Sequence, residues 1–328
     1  MNAPLSQDQI IELVRKWADT NSEGILFHKT HIFSIPHIEG LIGYHIAANN
    51  AVVLGDPVCA PQDKASLAEA FQRHCEERKL GVVYTIVSEE FTRWAAENLS
   101  SSLIEFGQTH IIDPSNNPVN KTGPRAVRLR NKIKQALHAG VTIQEYLGQD
   151  SELENQMEQV VVAWVKARRG LQAFFSTPGM FDHRQGKRWF YAENGGIILG
   201  VLTLHRLESH QGWLISHVMM TKNAPHGVSE LLVTSALQTL AKENCRFVIA
   251  GPTPAGELGK VSGLSRLTET VVRWIYKGII RLLRLNGPRI FWDKFQPTTE
   301  SSYLLFPQHN LNFTSVKAIL KSYNIGLL

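Results

Sequence analysis

The sequence predicts an α+β protein built as two similar halves, each a mixed, mostly antiparallel sheet with flanking helices. Three observations predict it. The 328 residues exceed what one typical domain core needs and suffice for two. The composition, 43% hydrophobic and 19% charged, is that of an ordinary globular chain and not of a disordered one. One order of elements, a strand meander followed by a loop, a helix and a buried strand, runs twice along the chain without any repeat of residue identity.

In the first half Ser6 is a helix cap, and Ile10, Ile11, Leu13, Val14 and Trp17 follow at helical spacing. Four short β-like runs come next, 24–28, 32–35, 40–46 and 51–54, the last closed by the strong turn signal Gly55-Asp56-Pro57. Segment 64–79 carries Leu67, Ala68, Phe71 and Cys75 on one helical face. Residues 81–87 read as a buried strand, 89–98 as a helix, and 103–106 and 109–112 as two strands.

Residues 114–144 differ in composition. They open on Pro114-Ser115-Asn116-Asn117-Pro118, a linker pattern, and then carry Lys121, Arg125, Arg128, Arg130, Lys132 and Lys134 with no acidic residue. A helix from Arg128 to Ala139 ends at Gly140, which suits the C-cap position. The expected organisation is an N-terminal domain over 1–120, a basic linker and helix over 121–150, and a C-terminal domain over 151–328. In the last, 153–168 is a helix, 187–192, 196–207 and 212–220 are strands, 221–227 is a loop, 228–243 is a helix and 246–250 is a strand.

Composition also excludes. Cys59, Cys75 and Cys245 are odd in number and form no CxxC pair, which argues against a disulfide framework or zinc knuckle and for a reducing cytoplasm. Residues 1–9 are polar and do not read as a signal peptide. No stretch approaches the ~20 apolar residues of a spanning helix, so any membrane contact is expected from the side. His28, His31, His37 and His45 lie close together, but without HExxH or a Cys/His pair no metal is expected. Ser176 lacks the frame of a serine nucleophile. The net charge of +5 concentrates in 121–134 and 266–289. In the latter, Arg273, Lys277, Arg281 and Arg284 fall three or four apart on one helix face, and Val272, Ile275, Ile279 and Leu282 on another. A basic amphipathic helix suits an anionic membrane, and basic stretches also suit tRNA phosphates.

The element order resembles the GNAT acyltransferase core. An enzyme of that kind that uses coenzyme A needs a glycine-spaced loop whose backbone N–H groups cradle a pyrophosphate. Loop 221–227 has only Gly227 and loop 59–64 has no glycine, so the expected donor is not coenzyme A.

Ordered landmarks carry a closer likeness. Arg128, Arg130, Lys134, Gly140 and Val141 form a basic segment leading to a helix end. Trp164 and Lys166 precede Phe175-Ser176, Gly179 and Phe181-Asp182. Ala224-Pro225 with Gly227 forms a turn, and Lys294-Phe295 with Pro297 precedes Tyr303-Leu304. In this order they resemble the C-terminal catalytic domain of the phosphatidylglycerol lysyltransferases (aminoacyl-phosphatidylglycerol synthases), over most of the chain beyond about Tyr44. The resemblance implies a tandem GNAT-like fold and aminoacyl transfer from aminoacyl-tRNA to the hydroxyl of a phosphatidylglycerol-like lipid or another small acceptor. It implies no cofactor and no metal. The cysteines and the basic amphipathic segment add the expectation of a cytoplasmic protein, peripheral at the inner membrane surface.

Attack by a hydroxyl on an activated ester needs a base and an oxyanion stabiliser. His217 or Glu230 is expected to take the proton, and Lys294, flanked by Phe291, Trp292 and Phe295, to stabilise the charge. Substrate contacts are expected from Arg128, Arg130, Lys166, Phe175, Ser176, Asp182, Gly227, Phe295 and Tyr303. Membrane or polyanion contact is expected from Arg273, Lys277, Arg281 and Arg284. One departure bears on activity: where the family tends to carry Asp-Leu-Met-Arg, this chain has Ser216-His217-Val218-Met219-Met220-Thr221, without acid or Arg. The alternatives are a non-catalytic tandem-GNAT binding protein, which that loss favours, and an acyl-CoA-dependent N-acyltransferase, which the glycine-poor loops disfavour.

Overall fold

The computed structural model describes residues 5–18, 25, 30–99, 101–167, 180–181, 184–282, 286–309 and 311–322. The chain begins with α1 (Gln7–Trp17), β1 (His31–Phe33), β2 (Gly40–Ala47), β3 (Asn50–Leu54), β4 (Val58–Cys59), α2 (Lys64–Glu77), β5 (Gly81–Val87), α3 (Glu89–Asn98) and β6 (Ser102–Ile112). It continues with α4 (Pro124–His138), β7 (Thr142–Tyr146), α5 (Ser151–Lys166), β8 (Lys187–Asn194), β9 (Ile197–Leu207), β10 (Gly212–Met220), α6 (Val228–Lys242) and β11 (Val248–Pro254). Last come β12 (Val261–Ser262), α7 (Arg266–Leu282), α8 (Asn286–Asp293), β13 (Thr298–Phe306) and α9 (Phe313–Ser322).

Two compact units form, and both are discontinuous in sequence. The first comprises Met1–Thr109, Pro252–Arg289 and Thr299–Leu328; the second comprises His110–Gly251 and Ile290–Thr298. Consecutive segments were the sequence expectation. Compactness instead groups much of the C-terminal third with the N-terminal half, and joins the basic segment around α4 to the second unit.

In the first unit, Ser6 caps α1 through a reciprocal capping box with Gln9. β1, β2 and β3 form an antiparallel meander. The chain then crosses through α2 to β5, which runs parallel to β3 from Asn50↔Gly81 to Leu54↔Thr85. Strand alternation sorts the core into two faces. Tyr84 and Val82 pack with Leu67 and Phe71 of α2 and Phe91 of α3. Val83 faces the other way, toward Val272 and Tyr276 of α7 and Ile319 of α9. The expected strands 103–106 and 109–112 are one strand, β6. It runs through Gly107 because a Cβ there would stand 2.5 Å from the Thr253 carbonyl oxygen, so only glycine lets the two backbones approach.

The second unit is also a meander followed by a parallel crossover. β7, β8, β9 and β10 are antiparallel neighbours in sequence order, and β11 returns parallel to β10 after α6. One face of the sheet is covered by α5, whose Met157, Val160, Val161 and Trp164 meet Val201 and Met219. The other is covered by α4 and α6, where Leu129, Ala136, Leu232 and Leu237 meet Leu202, Leu204 and Ile215. All three cysteines are buried. Burial pushes the Cys59 and Cys75 thiols up to about 12, so both stay protonated and serve as small apolar side chains. Among the described residues no helix is long and apolar enough to cross a membrane.

Candidate active site

In the second unit, the turn Ala224-Pro225-His226-Gly227 leads from the end of β10 into α6, and a cavity of ≈ 250 Å³ opens there. Met220 and Thr221 line it from the strand side. His226 and Gly227 line it from the turn, Ser229 and Glu230 from the first turn of α6, and Lys132 from α4. Gly227 sits at the N-cap with φ 93° and ψ −2°, and no side chain caps the helix there. The positive end of the α6 dipole therefore meets the cavity, which suits an anion or a developing oxyanion. The parallel ladder between β10 and β11 holds two pairs, Trp213↔Val248 and Leu214↔Ile249.

In the first unit the turn after β3 is held to the end of β5 by hydrogen bonds. There the Gly55 N–H donates to the Thr85 carbonyl at 2.9 Å. The Asp56 carboxylate accepts from the Ser88 N–H at 2.9 Å, the Ser88 hydroxyl at 2.7 Å and the Lys64 ammonium at 3.0 Å.

Glu230, which lines the cavity, is paired with Lys294 behind it. The Lys294 ammonium donates to Glu230 Oε1, and the Ser229 hydroxyl donates to Oε2 at 2.9 Å. The side chains are 6% and 20% exposed. Lys294 Nζ lies 4.6 Å from the centroid of the Phe291 ring, which packs in turn on Trp292 and Phe295. Burial pushes the Glu230 carboxyl up, but hydrogen bonding and charge from Lys294, with Ser229 and the residue's own N–H, outweigh it and hold the group below the usual carboxylate range. Phe295, expected as a substrate contact, is 1% exposed and packs its ring on Phe291 and Trp292.

His217 lies on the other face of the sheet. The register of β10 on β9 shifts between Ile215 and His217, leaving Ser216 as an extra residue. Ile215 belongs to the cluster under α4 and α6, and simple alternation would put His217 beside it. The bulge inverts the parity, so Val218 and Met220 face α4 and α6. His217 instead meets the edge of Trp164 on α5, ring centroids 6.4 Å apart, and its Nδ1 is 3.0 Å from the Ser216 hydroxyl. The bulge therefore sets His217 toward α5, on the face of the sheet opposite the one that α4 and α6 cover.

The remaining expected residues divide. Arg128 is exposed on α4 and Lys166 is exposed at the end of α5. Arg130 turns inward and donates to the carbonyls of Val119 at 2.8 Å and Lys121 at 2.9 Å, which fixes the approach to α4. Tyr303 lies in the core of the first unit with Tyr84 and Phe71, its hydroxyl pushed up by burial. Arg273 donates to Glu269 and to the carbonyls of Leu258 and Gly259. Lys277 pairs with Glu257 at 3.0 Å, and Arg281 is exposed. Phe175, Ser176, Asp182 and Arg284 lie outside the described residues. Sequence reasoning missed Lys132 and His226 as lining residues. His226 stands inside the recognised turn, whereas nothing local marks Lys132, which reaches the cavity only because α4 packs on α6.

A family model described as "Phosphatidylglycerol lysyltransferase, C-terminal" matches residues 12–306. No curated protein sequence matches the chain. Among solved structures, L-PGS from Bacillus licheniformis is similar with a TM-score of 0.78 and 18% identity, over 99% of this chain and 98% of that one. The C-terminal domain assigned to a lysylphosphatidylglycerol synthetase of Agrobacterium fabrum is similar with a TM-score of 0.76 and 16% identity, over 97% of this chain and 95% of that one. At these identities the likeness is one of fold.

Proposed function

The chain belongs to the phosphatidylglycerol lysyltransferase C-terminal family, and from that premise we propose that it transfers an aminoacyl group from aminoacyl-tRNA to the hydroxyl of a phosphatidylglycerol-like head group. The observation that carries the reading is the Glu230–Lys294 pair at the uncapped N-terminus of α6. We read each unit as one GNAT-like copy, since β3–α2–β5 and β10–α6–β11 repeat the same parallel crossover.

The chemistry follows from the pair. The acceptor oxygen attacks the ester carbonyl carbon, and the negative charge moves to the carbonyl oxygen. The Lys294 ammonium and the α6 N-terminus stabilise that oxyanion. As the ammonium turns toward it, its hold on Glu230 weakens. Burial then raises the carboxylate's basicity, and it takes the proton of the attacking hydroxyl. Collapse of the tetrahedral intermediate breaks the bond to the ribose oxygen, which takes the proton back from Glu230. Glu230 is thus both the base and the group that positions Lys294.

Two features favour tRNA over coenzyme A as donor. Gly227, the single glycine of the loop, is used for packing: a Cβ there would stand 1.9 Å from the Lys132 carbonyl oxygen. A pyrophosphate cradle needs its glycines free to approach the ligand. And α4, which supplies Lys132 to the cavity, carries exposed Arg125, Arg128 and Lys134 and no acidic residue.

The test gives the purified chain labelled aminoacyl-tRNAs with phosphatidylglycerol vesicles, and in parallel labelled acetyl-CoA with the same vesicles. Label passing from tRNA to lipid, and lost in Lys294→Ala, supports the reading. Acetyl transfer from coenzyme A, or tight tRNA binding with no transfer, defeats it, the second in favour of a binding protein.

A further inference from the structure

Helix α7 of the first unit has two apolar faces, and the fold uses one. Val272 and Tyr276 pack against the cluster of Val83, Ile104, Leu258 and Phe306, and Ile280 is buried. The Tyr276 hydroxyl adds hydrogen bonds to the carbonyls of Phe106 and Ala255. The opposite face presents Leu267, Val271 and Trp274 at 82%, 56% and 80% exposure, with Ile275 beside them at 49%. The spacing of four and then three residues puts Leu267, Val271 and Trp274 in one row along the helix. Gly278 extends the row, and a Cβ there would face open space.

Scattered apolar side chains on a surface need no explanation, but a contiguous row on one helix does. Its charge setting identifies the occupant. Arg266, Lys277 and Arg281 are exposed and follow one flank of the row. Lys277 pairs with Glu257 in a solvent-exposed ion pair, which an anionic surface can displace. Arg273 takes no part, because Glu269 and two backbone carbonyls hold it. An indole in an apolar row rimmed by cations is the make-up of a helix lying in the plane of a bilayer interface, where the amphipathic ring sits at head-group level.

We propose that α7 docks this protein on an anionic lipid bilayer, with Leu267, Val271 and Trp274 entering the head-group–acyl boundary and Arg266, Lys277 and Arg281 meeting lipid phosphates beside them. This rests on the reading that the acceptor is a membrane lipid, and adds which surface meets the membrane. It also reverses the weight given by sequence alone, since the apolar row and not Arg273 makes the contact.

The experiment is flotation of the full chain with vesicles of phosphatidylcholine alone or mixed with phosphatidylglycerol, together with tryptophan emission. The wild type is expected to float with the mixed vesicles, less so in high salt, and its emission to shift to the blue. Leu267→Ser/Val271→Ser/Trp274→Ser is expected to keep the wild-type melting temperature and to stop floating. Trp274→Phe is expected to float without the emission shift. A wild type that does not float, or a triple variant that floats equally well, overturns the proposal. So does light scattering that finds a wild-type dimer made monomeric by the triple variant, because the row then belongs to a second copy. Loss of flotation in the triple variant beside a chain that transfers nothing leaves docking standing and removes only the transfer reading. Transfer by a wild type that never floats removes docking alone.

Discussion

The backbone carbonyl of Lys132 occupies the place that a side chain on Gly227 would need, 1.9 Å from the ideal Cβ position. α4 and the entrance to α6 meet backbone to backbone there, at a glycine that also holds φ 93°. Gly227→Ala combines left-handed strain with a clash against an oxygen that cannot rotate away. The substitution is expected to cost about 3 kcal/mol or more. Calorimetry should find the melting temperature clearly lowered, and a variant that melts with the wild type would contradict this packing.

The Glu230–Lys294 pair separates structure from chemistry by a double-mutant cycle. Lys294→Met alone leaves a buried carboxylate unpaired, and stability is expected to fall by about 3 kcal/mol or more. Glu230→Gln with Lys294→Met removes both charges and is expected to recover most of that loss. Transfer is not expected to recover, because the oxyanion has still lost its ammonium, a rate effect of roughly 10²- to 10³-fold. Denaturation and initial rates on these two variants and on Glu230→Gln alone decide it, and a double variant with restored activity would make the pair purely structural.

Stability should also respond to acid through Glu230. Its carboxyl is held below its ordinary value in the folded chain, so its contribution is fully present above the unfolded pKa, near 4.5. It is lost as pH falls through the lower folded value. Glu230→Gln is therefore expected to flatten the acid side of a plot of melting temperature against pH and to leave its shape near neutrality unchanged. An acid limb as steep as the wild type's would mean that other carboxylates carry it.

His217 faces α5 and the cavity lies on the α6 side of the same sheet. His217→Ala is expected to leave the transfer rate close to wild type, whereas His226→Ala, altering a cavity-lining side chain, is expected to change KM or kcat. Steady-state kinetics on both variants test this, and a His217→Ala that abolishes transfer while folding normally would place the chemistry on the other face.

Arg128 and Lys134 point outward from α4. If they meet tRNA phosphates, the double glutamine variant should bind tRNA more weakly at low salt. The slope of log affinity against log salt should become shallower by roughly 0.7–0.9 for each phosphate no longer neutralised. An unchanged slope would remove α4 from the tRNA surface.

Much of the fold was legible because it rests on near neighbours. Ser6 with Gln9, the turn at Gly55-Asp56-Pro57, the helical face of Leu67, Phe71 and Cys75, and Gly140 after α4 are written within a few residues. Continuity of β6 was not legible: 103–106 and 109–112 read as two strands, and the backbone that Gly107 accommodates, at Thr253, is far along the chain.

The order of residues alone dictated the element order, its repetition, the lack of a glycine-rich donor loop in the two loops read, and Glu230 and Lys294 as the charged residues of interest. Tertiary packing was needed to bring these two together, to set Lys132 against the cavity that Glu230 lines, and to tie Arg273 to backbone carbonyls while the apolar row of α7 faces out. It also set the side on which His217 lies. The physical reason is parity: each residue along a strand changes face, so the one extra residue at Ser216 reverses everything after it, and whether a strand bulges depends on its pairing with β9.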